Sequence, residues 1–313
     1  MIPRLSLTAL AAVLTLSNPV SAAPPAVVTD IPVVGALARQ VLGDLARPEV
    51  LLDSGADPHH FQLRPSQARQ LQQAGLLIWI GPEMSPWLTR TAESLDPGVS
   101  LPLLAQAGTT LRHYGAGPEE AEGLEGHAAH ADHDDHGDHD GTDPHAWLDP
   151  DNAAIWLHAI AGALAEKDPE NAAIYRANAE TGIRRIAELD KQLRALLAPL
   201  HDRHFAVLHD AYGYFTAHYG LAPAVAVSLG DATAPSAARL KEVQDRIRHE
   251  NVTCAFPEAG HDPKLLRIAI EGTPARLGPS LNPEGTGLDP ESGLYETVLE
   301  NLAASIATCL GAK

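Results

Sequence analysis

Apolar residues follow two alternating rhythms along this chain. Ala26-Val27-Val28-Thr29-Asp30 and Glu49-Val50-Leu51-Leu52 are short apolar runs that predict strands, and Leu76 to Gly81 predicts a strand buried on both faces. Between the first two, apolar positions 31, 34, 37, 38, 41 and 42 keep helical spacing. Ser66 to Gln73 opens with a Pro-Ser start signal and predicts a second helix. The rhythm returns late in the chain. Strands are predicted at 205–209, 224–228, 252–256 and 275–277, with helices at 236–250 and 263–271 and a closing helix at 294–310. Strands alternating with helices predict βα units around a mainly parallel sheet, here in two series.

A long helical region separates the series. Asp151 to Lys167 is apolar at 155, 156, 157, 160, 161 and 164. Asp168-Pro169-Glu170 then supplies a cap and a first-turn proline. Ala172 to Leu200 carries one stripe at 174, 177, 183, 186, 189, 193, 196 and 197, with a gap near Gly182. At about 1.5 Å per residue this helix is roughly 43 Å long, enough for a spine. The expected fold class is α/β: two lobes, each a mainly parallel sheet flanked by helices, joined by a long rigid connecting helix. The expected divisions are an N-terminal lobe at 24–150, a helical region at 151–200 with the connecting helix at about 170–200, and a C-terminal lobe at 201–313. Residues 115–143 break the pattern, being rich in Gly, Glu, Asp and His and poor in large apolar residues. Such a segment cannot offset the entropy of ordering and is expected to be a mobile loop.

Residues 1–23 look like a removable export signal: one cation at Arg4, an apolar stretch from Leu7 to Leu16, and small residues at Ser21-Ala22-Ala23. That stretch is shorter than the roughly 20 residues a spanning helix needs, and the alternative is a short N-terminal anchor. The net charge is −18, and the signal contributes a cation and no acid. An acidic surface repels nucleic acid and anionic membranes and attracts cations. Aromatic residues make up 4% of the chain, which argues against a base- or sugar-stacking surface. The two cysteines, Cys254 and Cys309, either form one disulfide, as suits an exported chain, or remain two buried thiols.

The chemistry lies in the histidines. Asp57-Pro58-His59 recurs as Asp143-Pro144-His145, and His209-Asp210 follows the apolar run at 205–208. Between the two Asp-Pro-His segments stands a ladder, His127, His130, His133, His136 and His139, at a strict spacing of three. Neutral imidazole suits zinc, copper, nickel and iron. In parallel α/β sheets ligands bind beyond the carboxyl ends of the strands, where each of His59, His145 and His209 could face one cleft. Asp57, Asp143 and Asp210 are candidate partners for the ring N–H groups. Taken singly, His59 and His145 read equally well as capping or loop residues. The ladder reads as metal capture, with a solvated linker as the alternative.

These segments carry a resemblance. Residues Asp57 to Ser66, Asp143-Pro144-His145-Ala146-Trp147-Leu148-Asp149-Pro150 and His209-Asp210-Ala211-Tyr212-Gly213-Tyr214-Phe215 resemble the signature segments of the metal-binding periplasmic proteins of zinc and manganese ABC importers. The acidic His-rich loop and the cysteine pair resemble the zinc-specific branch, and the likeness spans nearly the whole chain after the signal. It implies a Zn2+ ion held by His59, His145 and His209, with His60 a bystander, and a Cys254–Cys309 disulfide. The family's fourth ligand, often an aspartate in a Leu-Asp-Pro-x-Gly-like segment, falls on Asn282, a neutral and weaker donor. Asp289 or water are the alternatives. The implied partners are a membrane permease of an ABC importer and a periplasmic zinc metallochaperone, with no nucleic acid and the chain a monomer. The implied role is high-affinity zinc capture in the periplasm without catalysis. Two other readings remain: a periplasmic zinc buffer relying on the ladder, and a zinc hydrolase in which Glu258 is the tempting general base. Protonation of the histidines is expected to weaken binding below about pH 6.

Overall fold

The computed structural model describes residues 23–52, 55–114, 141–228, 235–288 and 293–311. The export signal up to residue 22, the histidine ladder and Asp289 lie outside the described residues.

The first apolar series folds into β1 (Val27–Thr29), β2 (Glu49–Val50), β3 (Leu76–Trp79) and β4 (Ser100–Pro102), in the order β2-β1-β3-β4, with every pair parallel. The second folds into β5 (Phe205–His209), β6 (Val225–Ser228), β7 (Cys254–Phe256) and β8 (Arg276–Leu277), in the matching order β6-β5-β7-β8, again parallel. β1 and β5 are therefore equivalent: each has the next strand on one side and the one after on the other. That is a topological switch point, with a crevice beyond the strand's carboxyl end.

The helices are α1 (Pro32–Leu42), α2 (Pro65–Gln72), α3 (Pro86–Glu93), α4 (Pro150–Lys167), α5 (Ala172–Leu197), α6 (Gly213–Tyr219), α7 (Ala237–His249), α8 (Lys264–Ile270) and α9 (Leu294–Leu310). Three of these elements have no counterpart in the sequence expectation. β4 is an edge strand ending in Pro102, which has no N–H for a ladder. α3 buries Leu88 and Ala92, too sparse a stripe to show a period. α6 is seven residues long and lies inside the segment already marked out by its histidine.

α5 is the expected spine, but it ends at Leu197, and Ala198–Leu200 tightens into a 3-10 turn around Pro199. The gap at Gly182 is a contact. A Cβ there would lie 2.6 Å from Gln40 Oε1 and 3.0 Å from Leu157 Cδ1, so glycine lets α5 approach α1 and α4 closely. One apolar core runs through both lobes, from Val27 and Ile78 through Leu37, Ile186 and Leu302 to Phe205 and Val207. α9 returns from the second sheet to the first lobe, where Gln40 Nε2 donates to Glu296 Oε1 at 3.2 Å. A Cys254–Cys309 disulfide, with Cα atoms 6.1 Å apart, ties α9 to β7. Among the described residues no helix is long and apolar enough to cross a membrane.

Candidate metal centre

The repeated Asp-Pro-His is a local turn. Asp57 Oδ1 accepts the backbone N–H of His59 at 2.9 Å, and Asp143 Oδ1 accepts that of His145 at 2.9 Å. Aspartate favours such turns because its side chain reaches the backbone two residues on. The first turn lies in the loop after β2, where Trp87 donates its indole N–H to Pro58 O at 2.7 Å. The second leads through a 3-10 turn (Ala146–Leu148) into α4, with Trp147 packed against the His145 ring. His209 is the last residue of the central strand β5, so its ring is carried off the sheet's carboxyl edge into the crevice. All three histidines are buried.

The rings converge. One nitrogen from each of His59, His145 and His209 lies within 4.8 Å of the others. His145 Nδ1 is bound to Asp143 Oδ1 at 2.7 Å and His209 Nδ1 to Glu258 Oε2 at 2.6 Å. A carboxylate on Nδ1 puts the proton there and leaves Nε2 as the lone-pair nitrogen. The two Nε2 atoms then face each other at 3.4 Å. Two Zn–N bonds of about 2.0–2.1 Å at the tetrahedral angle span roughly 3.3–3.4 Å. Two lone pairs at this distance repel unless a proton or a cation lies between them.

Of the three aspartates expected to meet ring N–H groups, Asp143 does so, and Asp57 holds the backbone of His59. Asp210 does not hold the His209 ring; that place is taken by Glu258, which also accepts from Tyr212 Oη at 3.1 Å. Glu258 stands two residues past β7, and β7 pairs with β5, so the parallel ladder sets it beside His209. Its sequence signal is faint: a carboxylate just past a buried strand.

Burial dominates the electrostatics. It pushes the Asp143 carboxyl up to about 7 and Glu284 up to about 7, and holds the His145 imidazole well below its ordinary value. Burial also pulls His209 down, but Glu258, Glu284 and Asp143 outweigh it and raise the imidazole to about 9. Glu258 feels the reverse: burial raises it, and His209 more than offsets that, leaving it below its ordinary value.

Asn282, the expected fourth position, has both ends of its amide closed on one residue. Nδ2 donates to Thr286 O at 2.9 Å, and Oδ1 accepts Thr286 N–H at 3.1 Å. Away from the crevice, Asp149, Asp151 and His218 form a second cluster of potential ligands. There His218 bridges Asp149 and Asp190 and is a salt-bridge residue.

Residues 27–309 match the family described as ZnuA, zinc-uptake complex component A, periplasmic. The chain belongs to the ZnuA family. It is 54% identical to the high-affinity zinc uptake system protein ZnuA of Paracoccus denitrificans over 98% of each chain. It is 33% identical to the ZnuA of Brucella abortus over 91% of each. Among solved structures it resembles the periplasmic zinc-binding protein TroA of Treponema pallidum, with a TM-score of 0.76 and 19% identity over 92% of this chain and 99% of that one. It also resembles a manganese-bound periplasmic metal-binding protein of Candidatus Liberibacter asiaticus, with a TM-score of 0.73 and 19% identity over 91% and 99%. At these identities the structural likeness speaks for the fold. The ZnuA membership and the paired parallel sheets agree with the resemblance carried by the three histidine segments.

Proposed function

We propose that this chain captures a zinc ion in the periplasm at His59, His145 and His209 and delivers it, as a monomer, to the membrane permease of an ABC importer. It catalyses no reaction; zinc is its cargo. The supporting observation is the 3.4 Å between His145 Nε2 and His209 Nε2, each ring oriented by its own carboxylate. The relatives' names supply the identity of the metal. The ladder from His127 to His139 collects zinc for the cleft, alongside any periplasmic metallochaperone that loads it. A hydrolase would need Glu258 as a general base, but its carboxylate is engaged by His209 and Tyr212.

The test is metal titration of the His145→Ala, His209→Ala double variant against a competing chelator. The tightly held zinc should disappear while weaker zinc at the ladder remains. Retention of the tight zinc would favour a ladder-based buffer and overturn the cleft reading.

A further inference from the structure

His145 and His209 are oriented by separate carboxylates, Asp143 and Glu258, and neither carboxylate ties one histidine segment to the other. Tyr214 makes such a tie. Its helix α6 begins at Gly213, four residues past His209, and its ring is buried. Its hydroxyl reaches the segments around Asp143, accepting Arg112 N–H at 2.8 Å and donating to Asp143 O at 3.0 Å. Gly213 packs on the same turn, where a Cβ would lie 3.2 Å from Asp143 Oδ2.

This hydroxyl has a definite place in the backbone. His113 and Thr142 form an antiparallel bridge, with Tyr114 N–H on Gly141 O at 3.1 Å and Asp143 N–H on Arg112 O at 2.9 Å. The next bond of such a ladder would run from Arg112 N–H to Asp143 O, because a hydrogen-bonded antiparallel pair exchanges both bonds. The Tyr214 oxygen stands inside that bond and serves both groups. The two segments are therefore wedged apart at Asp143, two residues before His145. Phenylalanine would keep the ring and serve neither group. Backbone groups left unpaired away from water are costly, so Arg112 N–H and Asp143 O would close on each other. Closure draws the Asp143 backbone toward Arg112, and with it the turn that aims the His145 ring.

We propose that Tyr214 is a positioning residue of the metal centre: its hydroxyl, wedged between Arg112 and Asp143, sets the His145 ring at the distance from His209 that one zinc ion bridges. This rests on the three-histidine site proposed above. Tyr214 acts through Asp143 and is not itself a ligand. It fixes the Asp143 carbonyl from the helix that follows His209, so the two histidine segments keep one spacing. The 3.4 Å between the two Nε2 atoms is thereby held by bonds within the protein, and less ligand motion is lost on capture.

The test strips the full-length protein of metal, titrates zinc against a chromophoric chelator, and in a second sample loads cobalt(II) as a spectroscopic stand-in. Tyr214→Phe should bind zinc roughly tenfold more weakly, the lower end of what losing a group that orients a ligand costs. Its cobalt(II) visible bands should shift, since they follow the geometry of the ligands. A hydroxyl that serves only the fold would lower the unfolding midpoint and leave zinc affinity and the cobalt bands at the parent's values. That result, with the tight zinc lost in the His145→Ala, His209→Ala variant, overturns the proposal and leaves the site standing. Tight zinc retained in the double variant overturns the underlying site instead. If Tyr214→Phe unfolds early, Gly213→Ala decides. Alanine suits a helix better than glycine, and its methyl presses on the Asp143 carboxylate from α6. Weakened zinc in Gly213→Ala supports the proposal, and unchanged zinc overturns it.

Discussion

At His209 burial and the surrounding carboxylates pull in opposite directions. The carboxylates win, so the imidazole rises to about 9 while His145, 3.4 Å away, stays neutral far below that. Before zinc binds, His209 therefore holds a proton at neutral pH that the ion must displace. Apparent zinc affinity should climb with pH up to about 9, by roughly tenfold per unit for one displaced proton. The fall on acidification thus begins well above the pH 6 that ordinary histidines imply. Calorimetric titration at pH 7 in buffers of different ionisation enthalpy should register release of about one proton per zinc or more; no release would contradict the His209–Glu258 pairing. The ring positions were legible because Asp-Pro-His is a local turn whose carboxylate and histidine sit two residues apart. The part played by Glu258 was not, because it comes from a strand pairing between residues far apart in the chain.

Among the elements, α6 carries a link of its own. His218 is nearly buried, with Nδ1 2.9 Å from Asp149 Oδ1 and Nε2 2.7 Å from Asp190 Oδ1. Asp149 also caps α4 by accepting Asp151 N–H. Asp151 and Arg194 face the same ring from α4 and α5, and Tyr219 stacks on it edge-on. Burial lowers the His218 imidazole, but Asp149 and Asp190 outweigh burial and Arg194 and raise it. A folded-state value above the unfolded one means the stabilisation is complete below about pH 6.5 and is lost as pH rises through the folded value. His218→Gln should therefore cost about 1–3 kcal/mol at pH 6 and progressively less in more alkaline solution. Urea unfolding of both proteins across pH checks this, and a difference that grows with pH would contradict it. Long helices were legible from their periods, while β4, α3 and α6 were too short to display one. Gly182 appeared only as a gap, because the helices it admits come from elsewhere in the chain.

Over the whole molecule, two sheets of matching strand order share one core, and the disulfide returns the last helix to the second sheet. The cross-link joins residues 55 apart, so the chain-entropy account gives about 4 kcal/mol of stabilisation. Guanidinium unfolding of the Cys254→Ser, Cys309→Ser variant should show a loss of that order, and an unchanged midpoint would place the closure entropy elsewhere. The two-lobed architecture was legible from the repeated rhythm of strands and helices. The strand order was not, because runs of two to five residues do not name their neighbours. A core common to both lobes also fixes which surface lies beside the metal centre. With one apolar core through both lobes and the last helix cross-linked to the second sheet, the surface beside the metal centre is set by exposed and half-buried neighbours of its histidines, Asp57, His60 and Asp210.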